Sequence, residues 1–257
     1  MKHEPAKTIS SPQSPVQADA VLVPHAGWQY SGRLAAQTFK RVKIPRWVII
    51  FAPQHRGGGA DWAVAPHQTW QLPGKNVEAD LPMTERMIQA VDFFAFDAAP
   101  HAHEHAIEVL LPILARLAPE TKISAIAMSM SSWETIRRGA AQFATFLNSL
   151  PEKPMLVISS DMNHFANDET TRRVDHIALD AIYRATAELN PEHALRTVYE
   201  QQISMCGIVP AVFVMETLRV MGRLDRVEEV GYMTSVDVSG DPSRVVGYAG
   251  LIFRSEA

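Results

Sequence analysis

Residues 47–55 read WVIIFAPQH, an apolar run that ends in a proline, a glutamine and a histidine. Residues 155–160, MLVISS, have the same apolar character up to their closing serines. A strand that is apolar along its whole length is covered on both faces, as in the parallel sheets of α/β proteins. The two segments therefore predict central strands of a mostly parallel sheet.

Predicted strands and helices alternate along the rest of the chain. The predicted strands are residues 20–23, 47–52, 61–65, 122–128, 155–159, 227–236 and 245–253. The predicted helices are residues 32–42, 84–91, 105–117, 134–150, 170–187, 191–202 and 207–221. The alternation predicts one α/β domain, residues 20–257, with a mostly parallel central sheet flanked by helices. The turn SGDP, residues 239–242, predicts that the last two strands form an antiparallel C-terminal hairpin.

Composition narrows the class of protein. The chain has 257 residues, of which 47% are hydrophobic and 20% are charged, enough to build a substantial core. Its net charge of −4 and scattered basic residues predict no nucleic-acid partner and no membrane-surface partner. One cysteine excludes an intrachain disulfide.

The N-terminal residues and the lengths of the apolar runs indicate the cellular compartment of the protein. Residues 1–19 are polar, with no apolar stretch of signal-peptide type, and predict a flexible tail. No stretch approaches the roughly 18 apolar residues that a spanning helix requires. We therefore expect a cytoplasmic protein.

A histidine lies just past the carboxyl end of each of three predicted strands. His25 follows VLVP, His55 follows WVIIFAPQ, and His164 follows MLVISSDMN. In open α/β sheets ligands bind at this edge, because strand ends and loop backbones form a crevice there. We expect the three imidazoles to share one pocket, although any one of them alone could be an ordinary hydrogen-bonded histidine.

The segment PHAHEHAIE, residues 100–108, adds acidic and imidazole groups. His101 and His103 are predicted to be exposed to solvent. If the helix begins at His105, Glu104 and Glu108 share one face beside that histidine. This face could bring a carboxylate or a proton-transfer group to the crevice.

Cys206 and Asp161 complete the set of reactive groups. Cys206 precedes a predicted helix, whose free N–H groups would lower the pKa of its thiol, although a free cysteine is also commonly a small buried hydrophobe. Imidazole nitrogens and a thiolate are suitable ligands for iron, zinc or copper. Asp161 and His164 are three residues apart, which suits a base whose tautomer is fixed by a carboxylate.

Five blocks occur in order between residues 20 and 253: PHAGWQYSG, APQHRG, EHAIEVLLP, SSDMNHF and CGIVP. Together they resemble the Memo-like family, whose bacterial and archaeal members are often called AmmeMemoRadiSam system protein B. The family is similar in structure to class III extradiol dioxygenases, which are non-haem iron enzymes. The chain departs from the usual blocks at Trp28, Arg56 and Ala106, where the family commonly has tyrosine, histidine and serine.

The resemblance implies a metal centre. Its ligands would be His25, His55 and Cys206, with iron(II) as the expected metal and copper or zinc as alternatives. The dioxygenases have a glutamate where the Memo-like proteins have the cysteine.

The resemblance also implies catalytic positions. His164 falls at the position of the dioxygenase base, and Asp161 and His105 would line the same pocket.

Three functions remain open at this point. The first is a non-haem iron-dependent, dioxygenase-like oxidoreductase that acts on a small molecule. The second is a hydrolase with Cys206 as nucleophile, activated by the His164–Asp161 pair. The third is a non-catalytic protein that binds a peptide or partner proteins of the AmmeMemoRadiSam set in the same pocket.

Overall fold

The computed structural model describes residues 14–256, which contain eleven strands, eight α-helices and three short π- or 3-10 helices. The strands are β1 Ala20–Val23, β2 Trp47–Pro53, β3 Trp62–Val64, β4 Thr69–Leu72, β5 Lys75–Glu78, β6 Ala95–Phe96, β7 Lys122–Met128, β8 Met155–Ser159, β9 His164–Ala166, β10 Arg226–Thr234 and β11 Val245–Arg254. The helices are α1 Arg33–Lys40, α2 Leu81–Ala90, α3 Leu111–Leu117, α4 Trp133–Asn148, α5 Asp168–Ala187, α6 Pro191–Glu200, α7 Ile208–Val220 and α8 Val236–Ser239.

Nine of the eleven strands form one mixed sheet with a parallel centre. Its order is β10-β11-β1-β8-β2-β7-β3-β6, and β9 pairs with β11. The four middle strands, β1, β8, β2 and β7, are parallel to one another. β11 pairs antiparallel with both β1 and β10, and β3 pairs antiparallel with β7. β4 and β5 form a separate antiparallel hairpin.

The central strands are buried on both faces because their side chains alternate between two cores. In β2 the residues that face the first core are Trp47, Ile49 and Phe51, and those that face the second are Val48, Ile50 and Ala52. Helices α4, α5, α6 and α7 cover the first face, and α1 and α3 cover the second. Apolar burial on both faces is the main favourable contribution to folding, at about 25 cal/mol per Å².

The α/β prediction is confirmed, with all seven predicted strands present and β1, β7 and β8 at their predicted bounds. The C-terminal hairpin is also confirmed. The short helix α8 takes the end of the strand predicted to reach residue 236. The cap of α4 is Ser132, whose side chain accepts from the Thr135 amide, and the helix starts at Trp133.

The helix predicted over residues 105–117 begins later. A 3-10 turn covers Glu108–Leu110, and α3 starts at Leu111 with a proline in its first turn. Glu104 and Glu108 therefore do not share a helix face, and Glu104 lies in a loop. The sequence pattern was ambiguous here because the apolar spacing continues back through the 3-10 turn.

Residues 1–19 are predicted to form a flexible tail, and residues 1–13 of it lie outside the described residues. The described part packs against the domain: Val16 pairs with Val42 in an isolated bridge, and Ala18 is buried. The carboxylate of Asp19 accepts hydrogen bonds from Arg223 and from the Ser255 amide. Val16, Ala18 and Asp19 therefore contact the domain. The division into a tail and a domain stays a prediction.

Among residues 14–256, no helix combines the length and the apolar character needed to cross a bilayer.

Candidate metal centre

Two parallel strands, β1 and β2, bring two of the predicted ligands to one edge of the sheet. β1 and β2 flank β8, and His25 and His55 each follow their strand's last residue by two positions. Cys206 lies in the loop before α7, two residues from the first residue of that helix, and α7 packs on β8 and β2. The parallel centre of the sheet thus brings together side chains that are distant in sequence.

The side chains of His25, His55 and Cys206 converge. The Cys206 sulfur lies 3.4 Å from Nε2 of His25, and the ring centroids of the two histidines are 5.3 Å apart. One ligand atom from each of the three residues lies within 4.8 Å of the others. A group of two imidazoles and one sulfur at this spacing could hold a borderline metal ion.

The tautomer of His25 follows from its neighbours. Ser159 Oγ donates to the Ala106 carbonyl at 2.5 Å, so it accepts from Nδ1 of His25 at 2.8 Å. Nε2 therefore carries the lone pair on the side of Cys206. Burial lowers the pKa of His25 to about 4, against the opposing effect of Asp161. The imidazole is neutral at pH 7, as a metal ligand must be.

His55 is oriented by a buried carboxylate. Its Nδ1 donates to Oε1 of Glu104 at 2.9 Å, and its backbone N–H donates to Oε2 at 2.8 Å. Burial raises the pKa of Glu104, but hydrogen bonds from His55 and the Ala106 amide outweigh it and lower the pKa to about 2. The carboxylate is ionised, so Nδ1 of His55 keeps its proton and Nε2 is free for a ligand.

Asp161 forms hydrogen bonds with two of the predicted ligands, with the backbone N–H of His25 and with the sulfur of Cys206. Its Oδ1 accepts from the backbone N–H of His25 at 2.8 Å and from that of Ala26 at 3.2 Å. Its own N–H donates to the sulfur of Cys206 at 3.3 Å. The prediction that Asp161 orients His164 is wrong, because the carboxylate points back to the loop after β1.

His164 is oriented instead by the loop that carries Cys206. Its Nδ1 lies 2.8 Å from the Ser204 carbonyl, which can only accept, so Nδ1 is protonated and Nε2 is free. The His164 backbone N–H donates to Ser204 Oγ at 2.8 Å. The free Nε2 is the atom that a general base needs.

The thiol of Cys206 does not have the lowered pKa expected from the helix start. Burial raises the pKa, and the nearby Asp161 carboxylate raises it further. The sulfur contacts His25, Asp161 and Ser160, whereas His164 contacts Ser204 and Phe165. The Cys206–His164–Asp161 arrangement expected for a hydrolase is therefore not formed.

The other histidines differ in their environments. The ring of His105 stacks on His55 at 5.4 Å and meets His25 edge-on at 5.6 Å, so it lies over the centre as expected. His103 is exposed as predicted. The prediction for His101 is wrong: it is 6% exposed, and its Nε2 lies 3.1 Å from the Ala63 carbonyl. The residue ends a 3-10 turn, Ala99–His101, and its ring packs beside His67 and Trp70.

Sequence reasoning missed the roles of two serines. Ser159 had a signal, since it closes the apolar run MLVIS at the strand end beside the histidine loops. Ser204 had no such signal, because it is 40 residues from His164 in the sequence and contacts it only in the folded protein.

A buried acid, Asp175, supports the loop that precedes His164. Asp175 in α5 is fully buried and accepts from the Asn163 amide and the Tyr232 hydroxyl, each at 2.7 Å. The Asn163 side chain in turn accepts from Ser204 Oγ at 3.0 Å. Burial raises the pKa of Asp175 from 3.8 to about 6, although those two hydrogen bonds lower it.

This shift predicts a pH dependence of stability. Between pH 4 and 6 the folded state holds a proton on Asp175 that the unfolded state has lost, so the free energy of unfolding falls as pH rises. Asp175→Asn removes this contribution. We expect the variant-minus-wild-type difference in unfolding free energy to grow by about 2 kcal/mol between pH 4 and 7. Urea unfolding of metal-free protein measures it, and parallel pH profiles would contradict it.

Comparison with known proteins identifies the family. A sequence model described as Memo-like protein matches residues 4–252. The chain belongs to the Memo-like family. A MEMO1 family protein of Aquifex aeolicus is 36% identical over 245 residues, which cover 94% of this chain and 88% of that protein. A MEMO1 family protein of Archaeoglobus fulgidus is 36% identical over 235 residues, covering 91% and 86%.

A solved structure supports the fold of this Memo-like chain. The crystal structure of an uncharacterised protein from Escherichia coli K12 matches with a TM-score of 0.53 and 11% identity, covering 92% of this chain and 100% of that one. At this identity the likeness shows the α/β fold alone. The similarity to extradiol dioxygenases stays a prediction.

Proposed function

We propose that this Memo-like protein is a metal-dependent oxidoreductase of the non-haem iron type that acts on a small oxygenated molecule. The observation that carries the proposal is the convergence of His25, His55 and Cys206 within 4.8 Å. The hydrogen bonds to Ser159 and Glu104 hold the ring proton on Nδ1 of both imidazoles, so each Nε2 presents its lone pair to the centre. Three such ligands leave positions open for substrate, which distinguishes a catalytic site from a structural one.

Iron(II) is the metal we propose, with copper or zinc as alternatives for the same donor set. Iron would supply Lewis acidity and redox chemistry at the open positions. The protein's own contribution is to orient the donors, to keep His25 neutral, and to provide a base. His164 suits that last role, since its free Nε2 could accept a proton from a substrate hydroxyl.

His105 and Asp161 have different roles in this proposal. His105 lies against both ligand imidazoles and is about half exposed, so it could contact bound substrate. Asp161 holds the backbone of His25 and the sulfur of Cys206, so it acts by positioning the ligands. A cytoplasmic location is part of the proposal and is supported by the single cysteine.

A second function, binding of an apolar peptide segment or a partner protein of the AmmeMemoRadiSam set, is favoured by one observation. Large apolar side chains in the segments that follow β1, β7 and β8 are exposed: Trp28 by 57%, Met130 by 71% and Phe165 by 62%. Met130 lines a cavity of about 490 Å³ together with Cys206. Exposed apolar residues around a pocket are typical of interaction sites.

Oxygen consumption tests the enzymatic proposal. Protein purified anaerobically and loaded with iron(II) is expected to consume O2 when catechols are added. The His55→Ala variant is the matched control, since His55 is partly exposed and its removal leaves the cores intact. Uptake by the wild type no faster than by this variant would remove the dioxygenase function. Protein that also holds no stoichiometric metal would then make partner binding the leading function.

A further inference from the structure

We propose that the three-residue loop 104–106 is the positioning element of the metal centre, and that Glu104 is its principal positioning residue. The inference rests on the proposed metal-binding function. Glu104 itself is neither one of the three proposed ligands nor exposed to substrate. The loop fixes which nitrogen each ligand histidine presents, and it does so for both histidines.

Glu104 is the junction of four hydrogen bonds. Its Oε1 accepts from Nδ1 of His55 at 2.9 Å, from the His105 amide at 2.9 Å and from the Ala106 amide at 3.0 Å. Its Oε2 accepts from the His55 amide at 2.8 Å. The carboxylate is 1% exposed. One side chain thus holds both the backbone and the ring of His55, which leaves the ring no freedom to flip.

The same loop reaches His25 through a serine. The Ala106 carbonyl accepts from Ser159 Oγ at 2.5 Å, and Ser159 Oγ accepts from Nδ1 of His25 at 2.8 Å. Ser159 and His25 are both buried, so neither hydrogen bond can be replaced by water without rearrangement. The two imidazoles therefore depend on adjacent groups of one loop. Partners of this kind raise ligand basicity and fix ring orientation.

A second metal ion is the competing explanation for this cluster. One ligand atom each from His55, Glu104 and His105 lie within 4.8 Å of one another. However, Oε1 of Glu104 already accepts three N–H groups, and two of these are backbone amides that cannot turn away. A cation at Oε1 would have to displace them. The hydrogen bonds favour an anchor here, and we expect one metal ion per chain.

Glu104→Gln tests the inference. A glutamine keeps the volume but turns one acceptor into an NH2 group, which must face an N–H of His55 or of the loop. We expect metal affinity to fall by about 10- to 100-fold, the usual effect of losing an outer hydrogen-bond partner. Cobalt(II) is the probe: chelator competition gives its affinity, and its visible absorption reports on coordination by the thiolate.

A second variant keeps the inference testable if Glu104→Gln fails to fold. Ser159→Ala removes the link to His25 and is expected to weaken cobalt binding by a similar factor. Glu108→Gln is the matched control, because it makes the same change at an exposed residue four positions on, and it should bind as the wild type does. Thermal unfolding of the metal-free proteins separates lost affinity from lost folding.

The outcomes are distinct. Wild-type affinity and an unchanged cobalt spectrum in folded Glu104→Gln and Ser159→Ala would overturn the inference. Two cobalt ions per wild-type chain, with only one in Glu104→Gln at unchanged affinity, would overturn it in favour of the second ion. A wild-type protein that binds no cobalt, iron, zinc or copper would remove the proposed function itself, and the inference with it.

Discussion

Replacing Cys206 with alanine is expected to abolish stoichiometric metal binding. The sulfur lies 3.4 Å from Nε2 of His25, and its loss leaves two imidazoles, which are too few for a stable site in competition with water. The affinity should fall by more than about 100-fold, beyond the loss expected for an outer hydrogen-bond partner. Elemental analysis of protein purified without a metal-affinity tag measures the change and identifies the metal.

Two further variants make this result specific. Cys206→Ser keeps the shape of the side chain, but its hydroxyl does not ionise near neutral pH, so we expect it to bind metal as poorly as the alanine variant. His103→Ala removes an exposed histidine outside the centre and should retain one metal ion per chain. A full equivalent of metal in folded Cys206→Ala would show that the ligand set is wrong.

The sheet was predictable from the sequence because its middle strands are buried on both faces. Continuous apolar runs such as WVIIFA and MLVIS have few alternatives to a covered strand, and both lie where predicted. The location of His25 and His55 followed from the same fact, since residues just after parallel strands share one edge. The short strands β4, β5, β6 and β9 were missed, because most of their residues are partly buried or exposed and carry no apolar run.

Hydrogen-bond partners at the centre were not predictable in the same way. Asp161 and His164 are close in sequence, yet they turn to different partners, because Asp161 faces the loop after β1 and His164 faces the loop before α7. Proximity in sequence gives no direction for a side chain in a loop. Direction depends on contacts such as His164 with Ser204, and these form only when the whole sheet is assembled.

His164→Ala is expected to slow catalysis without emptying the metal centre. The imidazole presents a free Nε2, and its Nδ1 is held by the Ser204 carbonyl 2.8 Å away, so the ring is fixed for proton transfer. Loss of a positioned general base commonly lowers kcat by about 10²- to 10⁴-fold. Because His164 is not among the three converging ligands, the iron content should stay at the wild-type level.

The measurement is kcat for O2 uptake with a catechol by iron-loaded protein, together with its iron content. Added imidazole should restore part of the rate in His164→Ala, because a small base can enter the space that the ring occupied, whereas a defect in folding would not respond. His176→Ala, at an exposed histidine on α5, should leave kcat unchanged. A wild-type kcat in iron-loaded His164→Ala would mean that the proton leaves by another group, and His105, which contacts both ligand imidazoles, would be the next residue to test.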